Sequence, residues 1–143
     1  MTKQISLFFF LTFITFNISA ADNYGDITVD KVTEIYDGDS FKVNIHSWPD
    51  IIGKEVIIRV NGIDAPEMNA QCEKERLMAQ LAKQHTANLI EKSFRVELKN
   101  IQRDQYFRIK ADVYVDRVHL GNSLLTNKFA VPYSGGRKHN WCE

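Results

Sequence analysis

The sequence has no excess of either charge, because 18 lysines and arginines are matched by 18 aspartates and glutamates. Removing residues 1–21, which are treated below as a leader, takes away one lysine and no acid and leaves 17 basic against 18 acidic residues. A neutral chain has no overall field that attracts a polyanion such as nucleic acid. Binding to a polyanion would therefore depend on a local cluster of basic side chains.

Histidine and cysteine are also scarce, with four histidines scattered along the chain and two cysteines. This scarcity argues against a zinc site, which requires nitrogen and sulfur ligands close together. The sequence also lacks an internal repeat. A length of 143 residues corresponds to one domain.

One long apolar run is present, at residues 5–14, preceded by Lys3 and followed by small residues at 19–21. This order is typical of a secretory signal peptide with cleavage after Ala20 or Ala21. A membrane anchor is the alternative, but the run is shorter than the roughly 20 residues that span a bilayer. We expect residues 1–21 to be removed, residues 22–143 to form one domain, and the product to be exported, either periplasmic or secreted.

Both cysteines, Cys72 and Cys142, lie outside the leader. An even number of cysteines in an exported chain predicts one disulfide, with two free thiols as the alternative. The bond would bring the polar tail, including Arg137, Lys138 and Trp141, against the predicted helix that begins near Cys72. The tail could then form a local basic patch for phosphate.

Seven segments have the periodicity of regular structure. Five are predicted strands: residues 27–35, 41–45, 55–60, 94–98 and 106–115. Two are predicted helices: residues 71–92 and 120–128. The polar stretches at 46–54 and 100–105 are predicted loops. This order indicates an α+β fold and accommodates a five-stranded Greek-key barrel of the OB type, with one long helix and a short C-terminal helix. Pattern alone leaves other α+β folds open.

Two of these predictions concern burial. The third strand is a continuous apolar run, which indicates burial on both faces. The long helix has one apolar face, which consists of Leu77, Leu81, His85 and Leu89 with Met78, Ala82, Thr86 and Ile90 beside them, and we expect this face to pack inward. His85 on this face is expected to be a packed or rim residue, not a metal ligand.

Carboxylates lie at two predicted turns, Asp39 in Asp37-Gly38-Asp39 and Asp64 after Asn61-Gly62. If their strands are neighbours, the two side chains can share a cation, and oxygen ligands of this kind favour Ca²⁺ or Mg²⁺. An ordinary turn is the alternative explanation for the first of these segments.

Two arginines, Arg59 and Arg108, lie at predicted strand ends and could hold a phosphate through forked hydrogen bonds. Surface ion pairing is the alternative for either one alone. Glu67 follows Pro66 in a stiff loop, where a carboxylate can act as a general base or orient a water molecule. Each feature is weak by itself, and their combination indicates a site in which carboxylates hold a cation and two arginines hold a phosphate.

The order and spacing of four motifs resemble the staphylococcal nuclease (thermonuclease) family. The motifs are Asp37-Gly38-Asp39-Ser40, Arg59 with Gly62-Ile63-Asp64-Ala65-Pro66-Glu67, Arg103-Asp104-Gln105-Tyr106-Phe107-Arg108, and Phe129-Ala130-Val131-Pro132-Tyr133. The ending, residues 133–142, is similar to that of exported Gram-negative members.

The resemblance implies an OB-fold nuclease that uses one Ca²⁺ to hydrolyse DNA and RNA and leaves 3′-phosphate ends. It assigns the following roles to residues of this sequence: metal binding to Asp39, Asp64 and the backbone carbonyl of Ala65; catalysis to Arg59, Glu67 and Arg108; and nucleotide contact to Tyr106 and Tyr133. Nucleic acid is the expected partner, no membrane association is expected after leader cleavage, and the chain is expected to be a monomer.

The sequence also departs from the family pattern. Phe107 and Lys128 replace glycines, so each requires bulk or a left-handed backbone where glycine is usual. Gln105 replaces a common lysine. A catalytically inactive OB module that binds single-stranded nucleic acid is the main alternative, and an oligosaccharide-binding module is a third. Retention of both aspartates, both arginines and Glu67 favours the nuclease.

Overall fold

The computed structural model describes residues 23–104 and 106–143. The predicted signal peptide, residues 1–21, and Gln105 lie outside the described residues. Within the described part, no helix is long and apolar enough to cross a membrane.

Nine strands and three helices are present in the described chain. The strands are β1 (Ile27–Thr28), β2 (Lys31–Ile35), β3 (Ser40–Asn44), β4 (Val56–Val60), β5 (Ile63–Asp64), β6 (Val96–Arg103), β7 (Ile109–Val115), β8 (Val118–His119) and β9 (Val131–Pro132). The helices are α1 (Asp50–Gly53), α2 (Glu73–Glu91) and α3 (Leu120–Thr126).

The main sheet has the order β1-β6-β7-β4-β3-β2, and β8 pairs with β7. All pairs are antiparallel except β4 with β7. The sheet curls strongly into a half-barrel with the long helix α2 packed against it. The inward side chains of β3 and β7, among them Phe41, Val43, Ala111 and Val113, fill its core. The predicted α+β fold of the OB type is confirmed.

The first and fourth predicted strands have different bounds in the structure. Residues 27–35 form two strands, because β1 pairs with β6 whereas β2 pairs with β3. The break is at Asp30, whose carboxylate accepts a hydrogen bond from the His46 backbone N–H at 2.6 Å. The predicted loop at 100–105 is also partly wrong, because β6 continues to Arg103 through an irregularity between Lys99 and Gln102. Asn100 absorbs this bulge with a positive φ of 51°.

Burial on both faces of the third predicted strand is wrong. β4 alternates, with Ile58 and Val60 buried and Ile57 exposed. The predicted loop at 46–54 contains the short helix α1. Neither difference affects the position of Arg59, which lies on the partly exposed side of β4 between the two buried residues.

Helix α2 confirms the predicted element, and its predicted buried face is confirmed at Ala82 and Thr86 but not at Leu77 and Leu81. Leu77 and Leu81 are 57% and 50% exposed, whereas Ala79, Ala82 and Thr86 are buried. The small residues face inward because the turn before β3 approaches the helix too closely for a leucine. His85 is partly buried and packs against the Phe129 ring, with ring centroids 5.3 Å apart, and its Nε2 lies 2.8 Å from the Ser123 hydroxyl.

The end of α3 shows how a lysine occupies a glycine position. Lys128 has a φ of 60°, whereas Asn127 remains at a φ of −85°. The N–H of Lys128 donates to the Leu125 carbonyl and that of Phe129 to the Leu124 carbonyl. These two bonds form a Schellman motif, so the left-handed residue is retained although it is not glycine.

The tail is fastened by the predicted disulfide, which joins Cys72 at the start of α2 to Cys142. Trp141 is 7% exposed, so the tail end is packed and not frayed. Upstream, β9 pairs with β5, at Ile63 and Asp64. The tail is therefore fastened at two places, through β9 to Ile63 and Asp64 and through Cys142 to the start of α2.

Candidate active site

Arg59 lies between the two predicted metal-binding aspartates. Its Nη1 contacts Asp39 Oδ1 at 2.6 Å and its Nη2 contacts Asp64 Oδ1 at 3.2 Å. The pairing of β3 with β4 sets Ser40 opposite Arg59, which brings the arginine to the preceding Asp39. Both aspartates are 1% exposed, so the structure brings together two buried carboxylates and one guanidinium.

The carboxylate of Asp39 is fixed by further hydrogen bonds. The Ala65 backbone N–H donates to Oδ2 at 2.7 Å, and the Ser40 hydroxyl donates to Oδ1 at 2.8 Å. The Asp39 backbone N–H in turn donates to Asp37 Oδ1 at 3.0 Å. The turn that contains Asp37 and Asp39 is therefore hydrogen-bonded directly to the segment that contains Asp64 and Ala65.

Negative charge exceeds positive charge around Asp39. Burial, together with the neighbouring Asp37, raises its pKa to about 7, although Arg59 acts in the opposite direction. A divalent cation would relieve this imbalance, and carboxylate and carbonyl oxygens are the ligands that Ca²⁺ and Mg²⁺ prefer. Asp39, Asp64 and the adjacent Ala65 therefore fit such an ion.

Gly38 allows the acidic turn to lie directly on α2. A Cβ added to Gly38 would be 2.7 Å from the Ala82 Cβ and 3.3 Å from that of Ala65. The Thr86 hydroxyl, buried on the same helix face, donates to the Gly38 carbonyl at 2.7 Å. The contact between the turn and the helix fixes the position of Asp39. It also explains why small residues line this side of α2, because larger ones would not fit against the turn.

Gly38→Ala is expected to displace the turn and reduce cleavage of nucleic acid, because the added methyl group cannot fit against Ala82. Overpacking of this kind typically costs about 1–3 kcal/mol. Ala82→Gly in the same chain removes the opposing methyl and should restore part of the cleavage rate. Thermal unfolding and initial cleavage rates of the single and double variants measure both effects. Equal loss in the single and double variants would contradict this contact as the cause.

Glu67 is held at the mouth of the site by its backbone. Pro66 is buried, and the Glu67 N–H donates to Glu75 Oε1 at 3.1 Å. The Glu75 N–H in turn approaches the N-cap sulfur of Cys72 at 3.4 Å. Sequence reasoning missed Glu75. The pattern Cys-x-x-Glu at the helix start, similar to a capping box, could have identified it.

Lys138, in the C-terminal tail, contacts the carboxylates of Glu67 and Asp64. Its ammonium contacts Glu67 Oε1 and lies 3.4 Å from Asp64 Oδ1. Partial burial acts to lower the pKa of Lys138, but the contacts with Glu67 and Asp64 outweigh it and raise that pKa. The sequence predicts a basic tail near the helix, and the structure brings one lysine of that tail onto the predicted catalytic glutamate.

Arg108 is held by the loop that precedes β7. Asp104 Oδ2 accepts from its Nε at 2.7 Å, and Asp104 Oδ1 accepts the backbone N–H groups of Tyr106 and Arg108. Phe107 adopts a φ of 61° and is 80% exposed. The glycine-type backbone is thus retained, and the phenyl ring does not displace Arg108.

An open cleft of about 730 Å³ lies beside these groups. The described residues that line it include five basic side chains and one acidic one, Asp104. The basic residues are Arg59, Arg103, Arg108, Lys110 and Lys138. Tyr106 and Tyr133 also line the cleft. A nearly neutral chain therefore has the local basic cluster that binding to a polyanion requires.

Not every predicted residue contacts the buried acidic pair. Arg108 lines the cleft but forms its ion pair with Asp104, whereas Arg59 pairs with the two aspartates. Among the described residues, the only cluster of three histidine, cysteine or acidic ligand atoms is Cys72, Glu75 and Cys142, and the disulfide uses both sulfurs. An ion at Asp39 and Asp64 would therefore complete its coordination with backbone and water oxygens.

Comparison with known proteins agrees with this geometry. No curated protein matched the chain. The family model described as "Staphylococcal nuclease homologue" matches residues 57–140, which is more than half of the sequence and includes Arg59, Asp64, Glu67, Arg108 and Lys138. Together with the OB-type fold and the basic cleft, this match shows that the chain belongs to the staphylococcal nuclease family.

Proposed function

We propose that this protein is an exported, Ca²⁺-dependent nuclease that hydrolyses phosphodiester bonds of both DNA and RNA and leaves 3′-phosphate ends. The family supports a nuclease in general. The observation that carries the specific proposal is the contact of Arg59 with both buried aspartates at the edge of the basic cleft. A module that only binds phosphate gains nothing from buried carboxylates, since they repel it.

The basic cleft binds the phosphate backbone in this proposal. Arg59 and Arg108 line it from β4 and from the loop before β7. Guanidinium groups match phosphate oxygens in paired hydrogen bonds and remain charged at any physiological pH. As charge develops on the phosphoryl oxygens during hydrolysis, these preorganised donors stabilise it.

Glu67 orients the attacking water and accepts its proton. Its backbone is fixed by Pro66 and Glu75, whereas the residue is partly exposed. A water molecule can therefore reach the carboxylate. Attack at phosphorus breaks the bond to the 5′ oxygen, which takes up a proton and leaves as a hydroxyl. The phosphate then remains on the 3′ side.

Asp39, Asp64 and the Ala65 carbonyl would hold the metal ion. When bound, a divalent cation supplies Lewis-acid stabilisation of the charged phosphate. This arrangement does not require a particular sugar, because the arginines, Glu67 and the metal ligands all act on the phosphate that DNA and RNA share. Tyr106 and Tyr133, which line the cleft, are the residues proposed to contact the nucleotide.

Cleavage of end-labelled single-stranded DNA and RNA tests the proposal. The mature chain, residues 22–143, should cleave both with Ca²⁺ and neither in excess chelator, and added Ca²⁺ should restore cleavage. Products should resist polymerase extension until a phosphatase removes the 3′-phosphate. Full activity in chelator, or products that extend without phosphatase, would contradict the metal or the bond assignment. Binding without cleavage under all conditions would favour the inactive OB module.

A further inference from the structure

The C-terminal tail brings one basic residue, Lys138, to the carboxylates of Glu67 and Asp64. Lys138 lies between the β5–β9 pair and the packed end of the chain at Trp141 and Cys142. Near Lys138, the Tyr133 hydroxyl donates to the Gly136 carbonyl at 2.8 Å. The lysine is therefore held by a closed loop and not by a free end.

The position of Lys138 relative to Arg59 is set by a shared atom. Asp64 Oδ1 lies 3.2 Å from Arg59 Nη2 and 3.4 Å from Lys138 Nζ. Two cations that contact one carboxylate oxygen are close neighbours. A phosphate group that binds Arg59 in the cleft would therefore be within reach of Lys138.

The lysine retains capacity for another partner. An ammonium has three donors, and Lys138 directs its contacts at Glu67 and Asp64. Its side chain is 48% exposed and lines the cleft. The neighbouring Arg137 is also exposed but does not line the cleft. Lys138 and Arg137 are both basic, but only Lys138 lines the cleft.

We propose that Lys138 is a substrate-binding residue that contacts the backbone phosphate of single-stranded nucleic acid, and that the Cys72–Cys142 disulfide holds it in the cleft. This inference rests on the proposed function. It adds a tail residue to the site and makes substrate affinity depend on the oxidation state of the two cysteines.

Equilibrium binding in chelator tests Lys138 without cleavage. A short fluorescein-labelled single-stranded DNA of mixed sequence is titrated with wild type, Lys138→Ala and Arg137→Ala at several salt concentrations. Lys138→Ala should bind about 5–10-fold more weakly at low salt, because it loses a charged phosphate contact. Its salt slope should be smaller by about 0.7, the value for one phosphate contact to a single strand. Arg137→Ala should change affinity much less.

Reduction tests the part played by the disulfide. Reduced wild type should lose affinity by about the same factor as Lys138→Ala, and Lys138→Ala should lose no more on reduction, since coupled changes are not additive. Circular dichroism of each reduced sample verifies that the fold is retained. The comparison of the oxidised variants tests the contact between Lys138 and phosphate even if the reduced chain unfolds.

The outcomes separate this inference from the proposed function. Equal binding by Lys138→Ala and wild type would overturn it, and tighter binding by Lys138→Ala would do the same by showing that the lysine blocks the site. Reduced wild type that binds as tightly as oxidised wild type would overturn the role of the disulfide. Failure of wild type to bind or cleave any oligonucleotide would instead overturn the proposed function.

Discussion

Asp64→Asn and Asp39→Asn are each expected to abolish Ca²⁺-stimulated cleavage and to weaken Ca²⁺ binding by more than about 100-fold. Residues that only support metal ligands already change metal affinity by about 10–100-fold, and these carboxylates are proposed as ligands themselves. Neither substitution should unfold the chain. Asparagine keeps the size of the side chain, and in Asp39→Asn it also removes the repulsion from Asp37 that helps to raise the pKa of Asp39.

Isothermal titration with Ca²⁺ measures this effect independently of cleavage. A second readout is the rise in melting temperature with Ca²⁺, because a ligand that binds only the folded state stabilises it. Asp30→Asn is a matched control, since Asp30 is a half-exposed aspartate that pairs with His46 outside the site. Wild-type Ca²⁺ affinity in either Asp39→Asn or Asp64→Asn would exclude that residue as a ligand.

Arg59→Ala and Arg108→Ala are expected to reduce the cleavage rate equally but to differ in stability. Loss of one preorganised donor to a developing charge typically costs about 10²–10³ in rate. Arg59 is 12% exposed and neutralises two buried carboxylates, so its loss leaves buried charge uncompensated. We expect the free energy of unfolding to fall by about 3 kcal/mol, the lower end for a broken buried pair, because Lys138 still contacts Asp64.

Arg108 is 42% exposed and pairs with Asp104 on an open loop, so its loss should leave unfolding nearly unchanged. Urea unfolding in chelator and single-turnover cleavage with Ca²⁺ separate the two effects. Arg117→Ala is the charge control, because Arg117 is exposed at the turn between β7 and β8, away from the cleft. Wild-type cleavage by Arg108→Ala would show that its guanidinium does not act on the substrate.

The components of the site could be predicted from the sequence because they lie in short local motifs. Asp39 and Asp64 belong to turns whose glycines and proline restrict the backbone, and Arg59 ends a strand whose apolar pattern is clear. The role of each residue came from the order of these motifs and their resemblance to a nuclease family, not from periodicity. The disulfide followed from there being only two cysteines.

Burial depended on contacts that local pattern does not contain. Leu77 and Leu81 have the spacing of a core face, yet they are exposed because Gly38 brings the acidic turn against Ala82 and Thr86. In the same way, the first predicted strand divides because its two halves pair with strands that are distant from each other in sequence. The pairing partner, and not the strand propensity, decided these boundaries.

The sequence by itself therefore determined the α+β order of elements, the resemblance to the family and the acidic and basic residues of the candidate site, since each depends on local patterns or on short motifs in a fixed order. Only the tertiary structure decided how these groups meet. Arg59 reaches Asp39 because β3 pairs with β4 in one register, and Lys138 contacts Glu67 from a tail that is fastened by the β5–β9 pair and by the bond to Cys72. Both contacts join residues far apart in the chain, so their geometry is fixed by packing and cross-linking and not by neighbouring sequence.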